Sequence, residues 1–163
     1  MDSDLGISRQ LVEVTQSAFD KITLDLENLI HLERPRIAER IREAKEDGDL
    51  SENSDYIAAK QEQAFVEGRI EELREVIAIA VIVEPATLDP DSIHIGSTVV
   101  MADDDGDLLT VELVSPFEAD PDNGRISSFS PVGRAISGKR SGDMVRWDAP
   151  NGSLQMRIVS IQQ

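Results

Sequence analysis

The chain has 163 residues, enough for one ordinary domain or two small ones. Its 32 acidic and 16 basic residues give a formal net charge of -16, which argues against a free-standing nucleic-acid binder that must neutralise phosphates. The absence of cysteine excludes disulfides, thiol nucleophiles and cysteine-ligated zinc, and neither a secretion signal nor a membrane-length apolar run is found, so we expect a cytoplasmic protein.

Apolar residues recur at helical spacing from about residue 10 to residue 46. They are Phe19, Ile22, Leu26 and Leu29, followed by Ile37, Ile41 and Ala44. Intervals of three and four residues place these side chains on one face of a helix. Pro35 lacks a backbone donor and predicts a kink or short break near residues 32–34.

A second helical run carries the pattern of a coiled-coil seam. Its seam residues are Tyr56, Ala59, Gln63, Val66, Ile70, Leu73, Ile77 and Ala80, which alternate intervals of three and four. One seam needs a partner helix, and Gly48 can end the first run within a short connection. The sequence therefore predicts an antiparallel hairpin with arms about 45 to 55 Å long, better suited to reach into a partner than to enclose an enzyme's active site.

The remainder of the chain is predicted to form a small β domain. Residues 84–91 contain two prolines and predict a linker, so the expected division is a hairpin at 1–83, a linker at 84–91 and a β domain at 92–163. Hairpins are predicted for 98–101 with 108–114 and for 144–148 with 154–161, the second turning at Asn151-Gly152 with positive φ angles. One short helix is expected at 131–137. The fold class is α+β, and Trp147, Phe117 and Phe129 are predicted to help fill the β core.

Acidic residues crowd the predicted bend of the hairpin. They are Glu46, Asp47, Asp49, Glu52 and Asp55. Asp49 and Glu52 form a D-x-x-E pattern, which is typical of a capping box at the start of the second helix. Carboxylates are also the ligands that Mg²⁺ prefers, and two of them make half a site. A capping carboxylate keeps an oxygen free, so both interpretations remain open at this point.

Several ordered segments together resemble the Gre-type bacterial transcript cleavage factors, the GreA type more than the GreB type. In the first half these are Arg34-Pro35-Arg36-Ile37, Gly48-Asp49-Leu50-Ser51-Glu52-Asn53, Tyr56, Ala58-Ala59-Lys60 and Arg69-Ile70. In the second half they are Glu118-Ala119-Asp120, Gly124-Arg125-Ile126-Ser127, Ser130-Pro131, Ala135, Gly138-Lys139, Gly142-Asp143 and Pro150-Asn151-Gly152. The resemblance extends over nearly the whole chain from about residue 14.

The resemblance implies a transcription elongation factor rather than an enzyme. In the family, the hairpin enters the secondary channel of bacterial RNA polymerase, and a C-terminal domain similar to FK506-binding proteins docks at the rim. Asp49 and Glu52 would be the tip acids that help hold the second Mg²⁺, so that the polymerase cleaves its own backtracked transcript. Phe129, Ser130 and Pro131 would contact the rim. The partner would be RNA polymerase, with nucleic acid contacted only indirectly, and the free protein is expected to be a monomer with no membrane contact.

Two departures from the family pattern keep other functions open. Ser54-Asp55 stands where Ala-Glu is usual, and Ile57 replaces a common polar residue. With the strong negative charge, these departures favour as an alternative a non-catalytic channel-binding regulator or inhibitor of the polymerase. A third possibility is a coiled-coil adaptor whose tip acids serve only as helix caps.

The remaining candidate sites have simpler interpretations. Residues 103–107, Asp-Asp-Asp-Gly-Asp, faintly resemble a calcium loop, but the glycine is misplaced and Val114 stands where a bidentate Glu is needed, so an acidic hairpin turn is expected. His31 and His94 have no second ligand at metal-binding spacing. Ser130-Pro131 is also typical of a helix start, which is compatible with a docking role.

Overall fold

A computed structural model describes residues 10–48 and 53–163, and contacts divide the chain into two compact units. Among the described residues, one unit contains Phe19–Ala80 and is helical. The other contains Leu11–Ala18 and Val81–Gln163 and is built around β-strands. The predicted α+β class is therefore confirmed. None of the helices in these described ranges is long and apolar enough to cross a membrane.

Two helical arms form the first unit. The first arm consists of α1 (Gln16–Asn28), a π-helical segment (Leu29–Glu33) and α2 (Arg34–Glu46), and the second arm is α3 (Ser54–Ile79). The two arms bury the predicted seam: Ile37, Ile41, Ala59, Val66 and Ile70 form one cluster, with Leu26, Leu29, Ile30 and Tyr56 packed against it. Apolar spacing thus predicted which face of each arm is buried.

The interruption predicted before Pro35 is a π-helical turn, and the helix continues through it. The backbone N–H of Arg34 donates to the carbonyl oxygen of Leu29, five residues earlier. Pro35 has no N–H, and its ring excludes the carbonyl of the preceding turn. A widened turn just before the proline accommodates that ring while the chain stays helical.

Ion pairs join the two arms on the outside of the seam. Arg34 makes a bidentate pair with Glu67, with Nε to Oε1 and Nη2 to Oε2 distances of 2.7 Å each. Glu62 accepts from both Arg36 and Arg40. The hydrogen bond from Arg34, and secondarily its charge, hold the pKa of Glu67 below its ordinary value. These side chains are largely exposed, so each pair stabilises the hairpin only modestly.

The lowered pKa of Glu67 predicts a pH-dependent stability. A carboxyl whose pKa is lower in the folded state stabilises that state above its unfolded pKa, and the stabilisation is lost as the pH falls through the folded pKa. We expect Glu67→Gln to lower the melting temperature slightly at pH 7, and the difference from the wild type to disappear as the pH falls through the lowered pKa of Glu67. Circular dichroism at 222 nm measures both. Glu75 forms no salt bridge with the described residues, so Glu75→Gln is the control, and an equal loss in both variants would contradict the prediction.

Two short strands at the ends of the helical region were missed by the sequence analysis. β1 (Val12–Val14) pairs with β2 (Ala80–Ile82), and the N–H of Val83 donates to the carbonyl oxygen of Val14 at 2.9 Å. The prediction that the first helix starts near residue 10 and that Ala80 belongs to the second helix is therefore wrong. Val12 and Val14 are buried, and their β-branched side chains favour a strand. Three residues are too few to show a period of two.

The second unit contains a five-stranded sheet in the order β5-β4-β3-β7-β6. Its strands are β3 (Thr98–Ala102), β4 (Leu108–Val114), β5 (Arg125–Ser127), β6 (Met144–Ala149) and β7 (Gly152–Gln162), and its one short helix is α4 (Pro131–Ile136). Both predicted hairpins are present. The sheet is antiparallel, as expected, except that β5 runs parallel to β4. The core consists of Ile93, Ile95, Val99, Met101, Val111, Leu113, Ile136, Val145 and Ile158.

Two details of the β unit differ from the predictions. The β6–β7 turn has Pro150 and Asn151 at its centre, because Ala149 pairs with Gly152, and only the glycine has a positive φ, of 122°. Proline cannot take a positive φ, so the expected Asn-Gly turn is wrong. Trp147 packs against the core as predicted, whereas Phe117 and Phe129 are exposed by 39% and 38%.

The segment at residues 84–91 bonds to the rest of its own unit. Asp89 forms an ion pair with Arg140, and the side-chain amide of Gln163 donates to the carbonyl oxygen of Pro90 at 3.2 Å. Pro85–Thr87 form a single 3₁₀ turn. Proline and acidic residues end the helical pattern in this segment. The bonds of Asp89 and Pro90 then hold the segment against the rest of the β unit.

Candidate functional site

The predicted tip acids Asp49 and Glu52 lie outside the described residues, and the structure describes the helix ends on either side of them. α2 ends at Glu46, and Gly48 has a positive φ of 135°, as expected for a glycine that terminates a helix. α3 begins at Ser54. Residues 49–52, which include both acids, therefore lie between two helix ends whose backbone conformation and hydrogen bonds the structure describes.

Asn53 is the N-cap of α3. Its Oδ1 accepts from the backbone N–H groups of Asp55 and Tyr56, both at 3.1 Å, and its φ and ψ of -82° and 99° are those of a capping residue. Its Nδ2 donates to the carbonyl oxygen of Ala44 in α2 at 2.8 Å. The predicted capping box with Asp49 as N-cap of this helix is therefore wrong. Asn53 therefore meets the capping requirement at the start of α3, and the roles of Asp49 and Glu52 stay predictions.

Carboxylates flank this connection with few cations to balance them. Arg42 binds Glu46 at 2.5 Å, whereas neither Asp47 nor Asp55 takes part in a salt bridge with another described residue. Within residues 10–48 and 53–163, no three potential metal-ligating side chains converge. The described donors at this end are carboxylates, the type that suits Mg²⁺, but they do not form a complete site by themselves. A cation at this end would need ligands from the tip and from a partner.

The second predicted contact region lies at the start of α4. Ser130 is the N-cap: its Oγ accepts from the N–H of Gly133 at 3.0 Å and donates to the carbonyl oxygen of Ser127 at 2.7 Å. Pro131 follows as the first helical residue, as predicted. The N–H of Phe129 donates to Oγ of Ser127 at 3.0 Å, while its ring remains exposed. These bonds hold a short segment that presents an aromatic ring to solvent.

Gly133 allows α4 to approach this segment and was not singled out by the sequence analysis. A Cβ at position 133 would lie 2.0 Å from the carbonyl oxygen of Ser127 and 2.9 Å from its carbon. These are backbone atoms, which cannot rotate away. The packing of α4 against Ser127 therefore requires glycine at position 133. In the sequence, this requirement was indicated only by the location of Gly133 shortly after Ser130-Pro131.

The other sequence candidates have structural roles in the described part of the chain. Oδ1 of Asp103 accepts from the backbone N–H groups of Asp105 and Asp107 at 3.0 and 2.8 Å, so this segment is an acidic turn between β3 and β4, as expected. Nδ1 of His94 lies 3.3 Å from the carbonyl oxygen of Ile95. His31 lies exposed in the π-helical segment.

Family profiles match both units. The profile for the N-terminal part of GreA/GreB transcription elongation factors matches residues 12–82, and the profile for their C-terminal part matches residues 88–163. The chain belongs to the GreA/GreB family of transcription elongation factors. The resemblance carried by the hairpin and β-unit motifs is thereby confirmed.

Individual members of the GreA/GreB family match over almost their full length. The transcription elongation factor GreA of Thermomicrobium roseum is 41% identical over 96% of this chain and 100% of its own, and that of Lactococcus lactis is 42% identical over 91% and 96%. The crystal structure of GreA factor homolog 1 from Thermus thermophilus is 32% identical, covers 94% of this chain and 100% of its own, and has a TM-score of 0.45.

Proposed function

We propose that this GreA/GreB family member stimulates RNA polymerase to cleave the transcript in backtracked elongation complexes. The observation that supports the proposal is that Asn53 caps α3 and bonds to Ala44 at the end of α2, next to the segment that contains Asp49 and Glu52. These two carboxylates would then serve as ligands of a shared cation site. The factor would supply ligands to the polymerase's active centre and would not be an enzyme itself.

The proposed division of labour follows the two units. The helical unit, Phe19–Ala80, would enter the secondary channel, and the β unit, which contains Leu11–Ala18 and Val81–Gln163, would dock at its rim. An antiparallel two-helix seam with α3 of 26 residues extends about 39 Å, long enough for an inserted element. The net charge of -16 disfavours direct phosphate binding, so recognition of the elongation complex would depend on the polymerase surface.

The chemistry at the tip would be that of a completed metal site. When bound there, Mg²⁺ supplies electrostatic stabilisation to the oxygens that gain negative charge during phosphodiester hydrolysis. Asp49 and Glu52 would bind and orient this ion together with polymerase ligands, so its affinity for the free protein would be low. Asp47 and Asp55 lack salt bridges within the described residues and would add negative potential that attracts a cation.

Phe129 provides a test of the docking surface. Phe129→Ala is expected to weaken binding to RNA polymerase core enzyme about tenfold, because exposed aromatic side chains held by a rigid segment commonly dominate an interface. Competition with a labelled wild-type factor measures the affinity. Phe117→Ala is the matched control, since Phe117 lies in the same unit and is exposed to the same extent. Equal losses for both variants would contradict a docking role for the Phe129–Pro131 segment.

The deciding experiment uses the wild-type protein and a stalled, backtracked elongation complex with Mg²⁺. Shortening of the transcript from its 3′ end, followed by resumed synthesis on nucleotide addition, is the expected result. Binding without shortening, together with slower nucleotide addition, would instead establish the regulatory or inhibitory alternative. Failure to bind the polymerase would contradict both and favour the adaptor alternative.

A further inference from the structure

One side chain connects the two helix ends of the hairpin. Asn53 makes three side-chain hydrogen bonds, with Oδ1 accepting from the N–H groups of Asp55 and Tyr56 and Nδ2 donating to the carbonyl oxygen of Ala44. The last of these bonds crosses from α3 to α2. We call this set of bonds the Asn53 clasp.

The clasp uses both functions of the carboxamide, and this explains why asparagine occupies the position. The side-chain oxygen meets two of the N–H groups that lack partners at the start of α3, and the side-chain nitrogen meets one of the carbonyl groups that lack partners at the end of α2. Aspartate has the same shape and the same acceptors but no donor. Serine has a hydroxyl that is too short to serve both helices. Capping alone requires only an acceptor, so the bond to Ala44 is an additional task.

That additional task determines how the helix ends are spaced. Ala44 is buried, with 6% of its surface exposed, and its hydrogen bond to Asn53 is partly buried, so the clasp attaches to the inner side of α2. The N–H of Ile57 also donates to the backbone carbonyl of Asn53 at 3.1 Å, which fixes the residue in the first turn of α3. The ends that residues 49–52 connect are therefore held at a defined separation.

We propose that Asn53 is a positioning residue for transcript cleavage: by linking α2 to α3, it holds the hairpin end in the arrangement in which Asp49 and Glu52 can share a cation with the polymerase. This inference rests on the proposed function. A shared metal site tolerates little misplacement of its ligands, and residues that orient ligands commonly change metal affinity ten- to a hundredfold when they are replaced.

Two substitutions separate capping from clasping. Asn53→Asp keeps the cap on α3 and replaces the donor facing Ala44 with an acceptor, while Asn53→Ser keeps a cap and removes the contact. We expect both variants to bind RNA polymerase like the wild type, to raise the Mg²⁺ concentration for half-maximal transcript cleavage about tenfold, and to differ little in helix content. Glu43→Gln, which removes an exposed charge from α2 without touching the clasp, should leave this Mg²⁺ requirement nearly unchanged.

The geometry has its own readout, independent of cleavage. Because the chain has no cysteine, Lys45→Cys and Ala58→Cys place two spin labels on exposed positions of α2 and α3. Pulsed electron paramagnetic resonance then reports the distance distribution between the helix ends. We expect a narrow distribution in the wild-type background and a clearly broader one when Asn53→Asp is added.

The outcomes are distinguishable. An unchanged distance distribution in Asn53→Asp would overturn the clasp, whatever the cleavage assay shows. A broadened distribution with an unchanged Mg²⁺ requirement would show that the clasp is only structural and would overturn its positioning role. If the wild-type protein itself stimulates no cleavage while the distribution broadens, the proposed function fails, and the positioning role fails with it, but the clasp remains.

Discussion

Replacing Asp49 and Glu52 together with alanine is expected to reduce stimulated transcript cleavage by about 100-fold or more, while binding to RNA polymerase is retained. The reason is that the two carboxylates would be the factor's contribution to a shared cation, and removing the ligands removes the charge stabilisation they bring. Rates of transcript shortening in a stalled complex, measured at saturating factor, give the effect on the chemical step. Competition with labelled wild-type protein gives the affinity.

Asp47→Ala is the matched control for the tip variants. Asp47 lies in the same acidic bend, follows α2 directly and forms no salt bridge with another described residue. Its replacement changes the local charge by the same amount as either single tip substitution and should leave most of the cleavage activity. Full activity of the double variant would refute the assignment of Asp49 and Glu52. Loss of activity in Asp47→Ala to the same degree would show that total charge, and not a specific pair of ligands, matters.

The second large effect concerns stability. Gly133→Ala is expected to destabilise the β unit by at least about 3 kcal/mol, because the new Cβ would meet the backbone of Ser127 at 2.0 Å and α4 would have to move away from the sheet. Trp147 is the chain's single tryptophan and lies in β6, so its fluorescence during urea denaturation reports this unit. The displaced start of α4 should also weaken polymerase binding through Phe129.

Gly68→Ala tests the same substitution where space is available. Gly68 lies in the interior of α3, its φ is not positive, and no atom lies within 4 Å of an added Cβ. Alanine is the better helix former by about 1 kcal/mol, so this variant should be neutral or slightly more stable when followed by circular dichroism at 222 nm. Two helical glycines are thus expected to respond with opposite signs, and a mild effect of Gly133→Ala would contradict the packing that the structure shows.

Much of the fold could be predicted because its signals are local. The spacing of Ile37, Ile41, Val66 and Ile70 determines which faces of the hairpin are apolar, since helical geometry brings residues three and four apart onto one side. Adjacent strands joined by short turns are likewise recognisable, as for the β3–β4 and β6–β7 hairpins. The family motifs then connected Asp49, Glu52 and the Phe129–Pro131 segment with transcription elongation, and these site residues stay predictions.

Other features required contacts between distant residues. β1 forms because β2, almost 70 residues later, supplies the backbone partners for its hydrogen bonds. A strand of three residues is too short to show an alternating pattern in the sequence. Phe117 lies in a 3₁₀ turn and Phe129 in the turn between β5 and α4, so their exposure depends on the course of these connections over the surface of the unit. Aromatic residues are usually buried in small domains, so composition alone favoured burial.

The sequence by itself determined the α+β class, the coiled-coil seam, the acidic bend and membership of the GreA/GreB family. Each of these follows from the spacing or the order of residues that are near one another in the chain. The tertiary structure decided that Asn53, and not Asp49, caps α3, and that Gly133 is required beneath the Phe129 segment. The bond from Asn53 to the carbonyl of Ala44 and the fit of Gly133 against the carbonyl of Ser127 each depend on one element approaching the backbone of another. Such approaches follow from how whole elements pack, and no local pattern encodes them.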